Sequence, residues 1–188
     1  MKHTASTRRT RKLTTLAMLV AVSIVLVYLV HFPLLPAAPF LEYDPADIPI
    51  MVGTFLFGPW VGLGLTAVVS VLQGVTVSAA SGGPIGIVMH LLATGSFALV
   101  AGAIYKHKKS RGNAIAALVA GVVAMTAVMT GCNLVFTPIF MGQPMEAVMA
   151  MLVPIIIPFN LLKGGINALI TYVVYKPVSR TVHHLIEE

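Results

Sequence analysis

Long hydrophobic segments alternate along this chain with short segments that are polar, charged or rich in proline. The long segments are apolar on all faces and lack the single apolar stripe of a helix that packs on a soluble core. A helix of about 20 apolar residues crosses the roughly 30 Å hydrocarbon layer of a bilayer. The pattern therefore predicts membrane helices over residues 13–30, 48–57, 60–78, 84–105, 113–137 and 147–175.

A proline-rich segment, residues 31–49, separates the first two predicted helices. Proline lacks an amide donor and breaks helices, so the prolines at positions 33, 36, 39, 45 and 49 predict a loop or lid. The segment contains neither lysine nor arginine, and its acidic residues are Glu42, Asp44 and Asp47. We therefore expect an acidic lid on one side of the membrane.

Basic residues are gathered in three places, and their positions decide how many helices cross. They precede the first helix, form the loop at 106–111, and follow the last helix at Lys176 and Arg180. Positively charged loops favour the cytoplasmic side. All three groups reach that side only if the short segment 48–57, which rises about 15 Å as a helix, also crosses. The sequence therefore predicts an all-α membrane protein with six transmembrane helices in one bundle and both termini cytoplasmic.

This topology divides the chain into three regions. Residues 1–12 are a basic cytoplasmic tail, expected to be disordered, residues 13–176 form the six-helix transmembrane domain, and residues 177–188 are a cytoplasmic C-terminal tail. The N-terminus does not have the pattern of a cleaved signal peptide, because its apolar run is long and no small-residue cleavage site leads into a soluble domain.

The composition excludes several classes of function. Charged residues make up 10% of the chain, against about 25% in soluble domains. The net charge of +6 lies beside the predicted helices, where it attracts anionic lipid, so it does not indicate nucleic-acid binding. Cys132 is the only cysteine, which excludes a disulfide and a CxxC metal site. The chain also lacks the GxxxxGK[ST], HExxH and GxSxG motifs, so we expect no catalytic residues, no metal and no cofactor.

The last predicted helix carries a polar stripe. At 100° per residue, one sector of that helix contains Asn160, Lys163, Gly164 and Asn167. A charge at this depth costs at least about 2.5 kcal/mol on insertion scales, so Lys163 is expected to face a cavity or a partner. The alternative is that Lys163 reaches to the membrane interface. Gly164 allows a neighbouring helix or a flat ligand to approach closely.

Other polar residues within the predicted helices have competing structural roles. Asn133 suits either a ligand contact or a hydrogen bond between helices, because its amide both donates and accepts. Gln73 and Thr76, near one end of the third helix, suit either the rim of a binding site or a structural role. We expect His90 to be a packed polar residue, because no carboxylate accompanies it within the predicted helices.

Two segments of the chain resemble the riboflavin-specific S-components of energy-coupling factor (ECF) transporters. Residues 40–49, FLEYDPADIP, are similar to the lid that enters the short second helix of that family, and residues 158–164, PFNLLKG, are similar to the start of its sixth helix. The Gly58-Pro59 turn, the region of Asn133 with Thr137-Pro138, and the six-helix plan also fit. The resemblance covers nearly the whole chain beyond the basic tail, and the segment in the last helix is its most specific part.

The resemblance implies a multi-pass protein of the bacterial plasma membrane that captures riboflavin from outside and is not an enzyme. It also implies uptake powered by partners, namely a transmembrane coupling protein and two cytoplasmic ATPase subunits. Ala17 and Ala21, a pair of small residues suited to close helix packing, match the family's docking surface for the coupling protein. The substrate-binding residues that it implies are Asn133, Asn160, Lys163, Leu41 and Gln73, of which the last two match a region rather than a motif.

Other functions remain open at this stage. An S-component for another vitamin or for FMN is one alternative, because the shape of a pocket cannot be derived from the sequence. A stand-alone secondary permease is another, although the chain shows neither paired membrane carboxylates nor a strong internal repeat. Lys163 is expected either to contact a carbonyl of the ligand or to pair within the bundle.

Overall fold

The computed structural model describes residues 5–36, 38–77 and 83–187, and within these ranges the chain is almost entirely helical. Two short strands, β1 (Phe32–Pro33) and β2 (Glu42–Tyr43), pair antiparallel in the segment after the first helix. A π-helical segment, Leu152–Ile156, joins the last two helices. The helices are α1 (Ala5–Leu29), α2 (Asp47–Phe57), α3 (Pro59–Val75), α4 (Gly83–His107), α5 (Arg111–Met141), α6 (Met145–Met151) and α7 (Ile157–Glu187).

Four helical stretches of the described chain are long and apolar enough to cross a membrane, and the helices α2 and α3 are shorter apolar helices. The four stretches are Thr7–Leu29, Gly83–His107, Arg111–Ile139 and Met145–Val182. The prediction of an all-helical, membrane-embedded protein is therefore confirmed. The expectation of a disordered N-terminal tail is wrong for its described part, because α1 begins at Ala5. At the other terminus, α7 continues as a helix through residues 177–187.

The sharp turn between α2 and α3 depends on Gly58-Pro59. Gly58 has a φ angle of 99°, which side chains with a Cβ atom rarely adopt, and its amide donates to the carbonyl of Thr54 at 2.8 Å. Pro59 begins α3, where its missing N–H would have no helical partner in any case. The turn therefore ends α2 after 11 residues and reverses the chain.

Helix α2 begins beside the middle of α1 and not at its C-terminal end, as two contacts show. The Ser23 hydroxyl donates to the Ala46 carbonyl at 3.0 Å, and the Lys12 ammonium lies 5.4 Å from the centre of the Phe57 ring. Helix α2 thus lies beside residues 12–23 of α1. The remaining residues of α1, up to Leu29, rise about 9 Å farther. The segment that follows α1 therefore enters the bundle before α2 starts, which buries Asp44 and Asp47, whereas Glu42 stays partly exposed.

One end of the bundle is closed by aromatic rings. Phe55 stacks on Tyr105 with ring centres 4.3 Å apart, and Tyr175 meets both rings edge-on. These contacts, with that of Lys12 to Phe57, bring the N-terminal basic residues, the 106–111 loop and Lys176 to the same end, called here the basic end. The lid of the structure is the segment between α1 and α2, described over residues 31–36 and 38–46. It lies at the opposite end of the bundle, which is called the lid end.

The π-helical segment lies just before the predicted site in the last helix. A π turn contains one more residue than an α turn. Pro154 and Pro158 lie in and just after this segment and cannot donate backbone hydrogen bonds. The local sequence therefore disfavours regular α-helix here.

Candidate functional site

A cavity of about 210 Å³ opens at the lid end, between the lid and the helices α3, α4, α5 and α7. All five residues predicted to bind a substrate line this cavity, and they come from the lid and three helices, α3, α5 and α7. They are Leu41, Gln73, Asn133, Asn160 and Lys163. The structure thus brings together residues that are up to 122 positions apart in the sequence (Leu41 to Lys163).

Most of the cavity wall is apolar. Aromatic rings and aliphatic side chains from the lid and helices face one another across it, and methionines from α4 and α5 add flexible apolar surface. Such a wall suits a flat, mostly apolar ring system. The apolar lining residues include Phe40, Leu41, Ile85, Met89, Met125, Met129, Phe136 and Phe159.

Lys163 is paired with a lid residue across the bundle. Its ammonium group donates to Asp44 Oδ2 at 2.7 Å, and the side chains of Lys163 and Asp44 are only 12% and 5% exposed. Asp44 Oδ1 accepts from the amide of Ala46 at 3.1 Å, so the carboxylate also shapes the chain as it enters α2. The alternative in which Lys163 reaches the membrane interface is therefore wrong. Lys163 both pairs within the bundle and lines the cavity.

Asn160 and Asn133 hold their side chains against their own helices. The Asn160 amide group donates to the carbonyl of Ile156, and that of Asn133 to the carbonyl of Met129, each at 2.8 Å. Asn133 Oδ1 accepts from the Thr137 hydroxyl, whereas Asn160 Oδ1 accepts from no residue that the structure describes. Anchored in this way, Asn160 presents a fixed acceptor at the cavity.

Gln73 offers a second acceptor. It is 9% exposed, it lines the cavity, and its Oε1 atom accepts no hydrogen bond from the described parts of the chain. An unpaired buried carbonyl costs free energy unless a partner satisfies it. This side chain is therefore suited to receive a hydroxyl or N–H group of a bound molecule. Thr76, by contrast, is exposed and bonds to the carbonyl of Leu72 in its own helix.

A buried carboxylate beside His90 was missed by the sequence analysis. Asp47, the first residue of α2, is fully buried. Its Oδ1 atom accepts from the Thr94 hydroxyl at 2.8 Å and lies 3.2 Å from His90 Nε2. Its Oδ2 atom accepts from Asn167 at 3.1 Å. The expectation that no carboxylate accompanies His90 is therefore wrong, because Asp47 was assigned to the lid rather than to the helix that follows.

Asn167 binds the lid and not the cavity. The Tyr43 hydroxyl donates to Asn167 Oδ1 at 3.0 Å, and Asn167 Nδ2 donates to the Asp44 carbonyl at 3.2 Å. Burial, reinforced by the negative charge of Asp44, raises the pKa of the Tyr43 phenol and keeps this donor protonated. The polar stripe of α7 is therefore divided between cavity residues and a lid anchor. Gly164 on the same stripe lies against Val122 of α5, so it serves helix packing.

Helix α1 leaves the two predicted docking residues uncovered. Ala17 and Ala21 are both exposed, on a face of α1 that also presents Met18, Val25 and Tyr28. Trp60 is 75% exposed beside the α2–α3 turn, in keeping with a position at the membrane interface. Within the described ranges, no three His, Cys, Asp or Glu side chains group together as metal ligands would.

Known proteins with a similar sequence are membrane transport components. Residues 11–175 match the model of the family described as "ECF transporter, substrate-specific component". The riboflavin transporter RibU of Staphylococcus aureus (strain TCH60) is 31% identical over 151 residues, which is 77% of this chain and 78% of that protein. The riboflavin transporter FmnP of Bacillus subtilis (strain 168) is 30% identical over 140 residues, which is 71% of this chain and 73% of that protein.

Two solved structures share the fold. The structure described as the S component of a bacterial ECF transporter superposes with a TM-score of 0.75 at 30% identity, over 93% of this chain and 98% of the other. ThiT from Listeria monocytogenes superposes with a TM-score of 0.66 at 19% identity, over 95% and 98% of the two chains, which shows a common fold only. The helix bundle is thus a known architecture.

Proposed function

The chain belongs to the family of substrate-specific components of ECF transporters, and on that basis we propose that it captures riboflavin from outside the cell for uptake. Its role is to bind the vitamin, whereas the free energy for transport comes from partner subunits. The relatives named riboflavin transporters support this substrate, since two of them match more than 70% of the chain.

The lining of the cavity is the observation that carries the proposal. Riboflavin combines a flat three-ring system with a chain of hydroxyl groups. The apolar wall from the lid, α4 and α5 suits the ring, and the polar groups of Asn160, Lys163 and Gln73 suit the ring carbonyls and the hydroxyls. Lys163 donates, while Asn160 Oδ1 and Gln73 Oε1 accept, so both kinds of partner are present.

Titration of the purified protein with riboflavin tests this proposal. Flavin fluorescence is expected to be quenched on binding, with one site per chain and a submicromolar Kd in detergent. Thiamine serves as the control ligand, because it lacks the flat three-ring system that the apolar wall suits. Absence of riboflavin quenching in well-folded protein, or equal binding of thiamine, would contradict the proposed substrate.

We further infer a topology of six membrane-crossing helices with both termini in the cytoplasm of a bacterial cell and the lid facing outside. The grouping of basic residues at one end of the bundle supports it, because positively charged segments favour the cytoplasmic side. In this arrangement α2 and α3 count as crossings although they are short. The neighbouring helices α1, α4 and α7 shield α2, of which nine residues are buried.

We also propose that α1 docks on a transmembrane coupling protein that works with two ATPase subunits. The sequence contains no nucleotide-binding GxxxxGK[ST] loop, so hydrolysis would take place in a partner. The exposed small residues Ala17 and Ala21 leave room for the close approach of another helix.

The substitution Ala17→Leu tests the docking face. It is expected to reduce co-purification with the coupling protein and ATP-driven uptake by at least about tenfold, because a larger side chain holds the helices apart. Riboflavin binding should not change, since Ala17 is not among the residues that line the cavity. Ala116→Leu on the exposed face of α5 is the matched control. Full uptake with Ala17→Leu would show that this face of α1 is not part of the docking surface.

A further inference from the structure

The ionisable side chains that line the cavity are carboxylates or basic groups that already face a carboxylate. Among the described residues that line it, Lys163 is the only lysine or arginine, and Glu42 and Asp44 are carboxylates. His31 and His90 also line the cavity, and each faces a carboxylate, Glu42 at 2.8 Å and Asp47 at 3.2 Å respectively. Each basic group of the lining therefore already faces a carboxylate, and none is left to balance the charge of an anionic ligand.

We propose that Asp44 makes this cavity selective for a neutral flavin over its phosphate ester, because it compensates the charge of Lys163. The inference rests on the proposed riboflavin function and specifies which chemical form of the flavin the site accepts. Asp44 is thereby a specificity-determining residue, although no polar contact between Asp44 and the ligand is required.

Lys163 can serve a neutral ligand while it is paired. An ammonium group has three N–H donors, and the described contacts use one of them, to Asp44 Oδ2 at 2.7 Å. The remaining donors can reach a ring carbonyl or a hydroxyl without any change in the net charge of the site. A neutral flavin thus gains hydrogen bonds from Lys163 and leaves the ion pair intact.

A phosphate ester meets a different situation. The phosphate group carries a charge of about −1.5 to −2 at neutral pH. It finds no uncompensated lysine or arginine among the described lining residues, and the carboxylate of Asp44 beside Lys163 opposes its charge. It must also pass the lid, whose charged groups are acidic. Unfavourable charge placement against one of two competing ligands is a common source of specificity.

The substitution Asp44→Asn tests the proposal. Asparagine keeps an oxygen for the Ala46 amide, so the local turn is preserved, but it leaves the charge of Lys163 uncompensated. The ratio of the Kd for riboflavin 5′-phosphate to the Kd for riboflavin is measured by fluorescence titration. We expect wild-type protein to prefer riboflavin by at least about tenfold and Asp44→Asn to reduce that preference by about tenfold or more.

Two further variants serve as controls. The double variant Asp44→Asn/Lys163→Met removes both charges and should restore the wild-type preference. Glu42→Gln removes a lining carboxylate that is not paired with Lys163, and its ratio should change by no more than about threefold, because Glu42 is partly exposed and its charge is screened by solvent.

A comparison of ligands on the wild-type protein keeps the test valid if Asp44→Asn does not fold. An uncharged 5′-ester of riboflavin, similar in size to the phosphate, should bind within about threefold of riboflavin. Rejection of both esters would assign the selectivity to size and overturn the proposal, as would an unchanged Kd ratio in folded Asp44→Asn. If riboflavin itself does not bind, the proposed function fails; if it binds while the ratio does not change, this inference alone fails.

Discussion

The two ends of the helix bundle are built from different chemistry. At the lid end, charged and amide side chains from the lid, α2, α4 and α7 are buried and bonded to one another around a cavity. At the basic end, the rings of Phe55, Tyr105 and Tyr175 pack directly together. Hydrogen bonds and ion pairs connect the helices at the lid end, whereas packed aromatic rings connect them at the basic end.

The difference shows how binding and closure are separated in this molecule. Hydrogen-bonded side chains hold fixed directions and leave space between the helices, whereas stacked rings fill space and seal it. We expect ligand capture at the lid end because donors, acceptors and an apolar wall meet there. In the topology proposed above, the basic end closes the bundle against the other side of the membrane.

The largest effect is expected from Asp47→Leu, which breaks the lid-end network at its centre. The change leaves His90, Thr94 and Asn167 without their shared acceptor. Removal of one member of a buried charged network typically costs about 3–5 kcal/mol of unfolding free energy. Thermal unfolding in detergent should show a large drop in melting temperature. Asp47→Asn, which keeps one oxygen, should cost less. Wild-type melting of Asp47→Asn would show that the charge is not needed, and wild-type melting of Asp47→Leu would contradict the central role of this network.

A smaller effect, on binding rather than folding, is expected from the cavity residues of α7. Asn160→Ala should weaken riboflavin binding by about tenfold, through the loss of one neutral hydrogen bond. Lys163→Ala should weaken it by about 10- to 100-fold, because hydrogen bonds from charged groups are stronger. It also leaves the buried Asp44 carboxylate unpaired, so its melting temperature is measured beside its affinity. Leu169→Ala, on the exposed face of the same helix, is the control for fluorescence titration. Unchanged riboflavin affinity in both cavity variants would show that the binding site lies elsewhere in the protein.

The smallest effect is expected at the basic end. Tyr105→Phe removes the hydroxyl that donates to the Tyr175 hydroxyl at 3.3 Å but keeps the stacked ring. The loss should be about 0.5–1 kcal/mol of unfolding free energy. Riboflavin affinity should stay within experimental error of the wild type. A marked loss of affinity would show that the two ends are coupled, and the separation argued above would be wrong.

Much of the fold could be predicted from the sequence because membrane helices depend on local features. Apolar length, Gly58-Pro59 and the placement of basic residues predict each helix to within a few positions. The largest departures are at the chain ends, where α1 begins at Ala5 and α7 continues to Glu187. The helices continue into the charged segments at both ends of the chain. Hydropathy indicates which part of a helix lies in the hydrocarbon layer, and it does not indicate where the helix ends.

The candidate site was only partly predictable. The polar stripe of α7 and the family resemblance pointed to Asn160 and Lys163, and the structure places both at the cavity. The pairing of Lys163 with Asp44, 119 residues away in the sequence, has no local pattern. Asp47 was missed because its neighbouring prolines suggested a loop, and only the three-dimensional packing shows its carboxylate beside His90.

The π-helical segment before α7 marks a place where the length of this chain can change. Its extra residue is equivalent to a one-residue insertion that the wider turn accommodates. Loss of one residue within 152–156 would let a regular α turn replace the wider turn, while the flanking helices keep nearly the same relative orientation. A single codon deleted there would therefore leave Asn160 and Lys163 at the cavity, so the gene can gain or lose length at this point without redirecting the residues that line it.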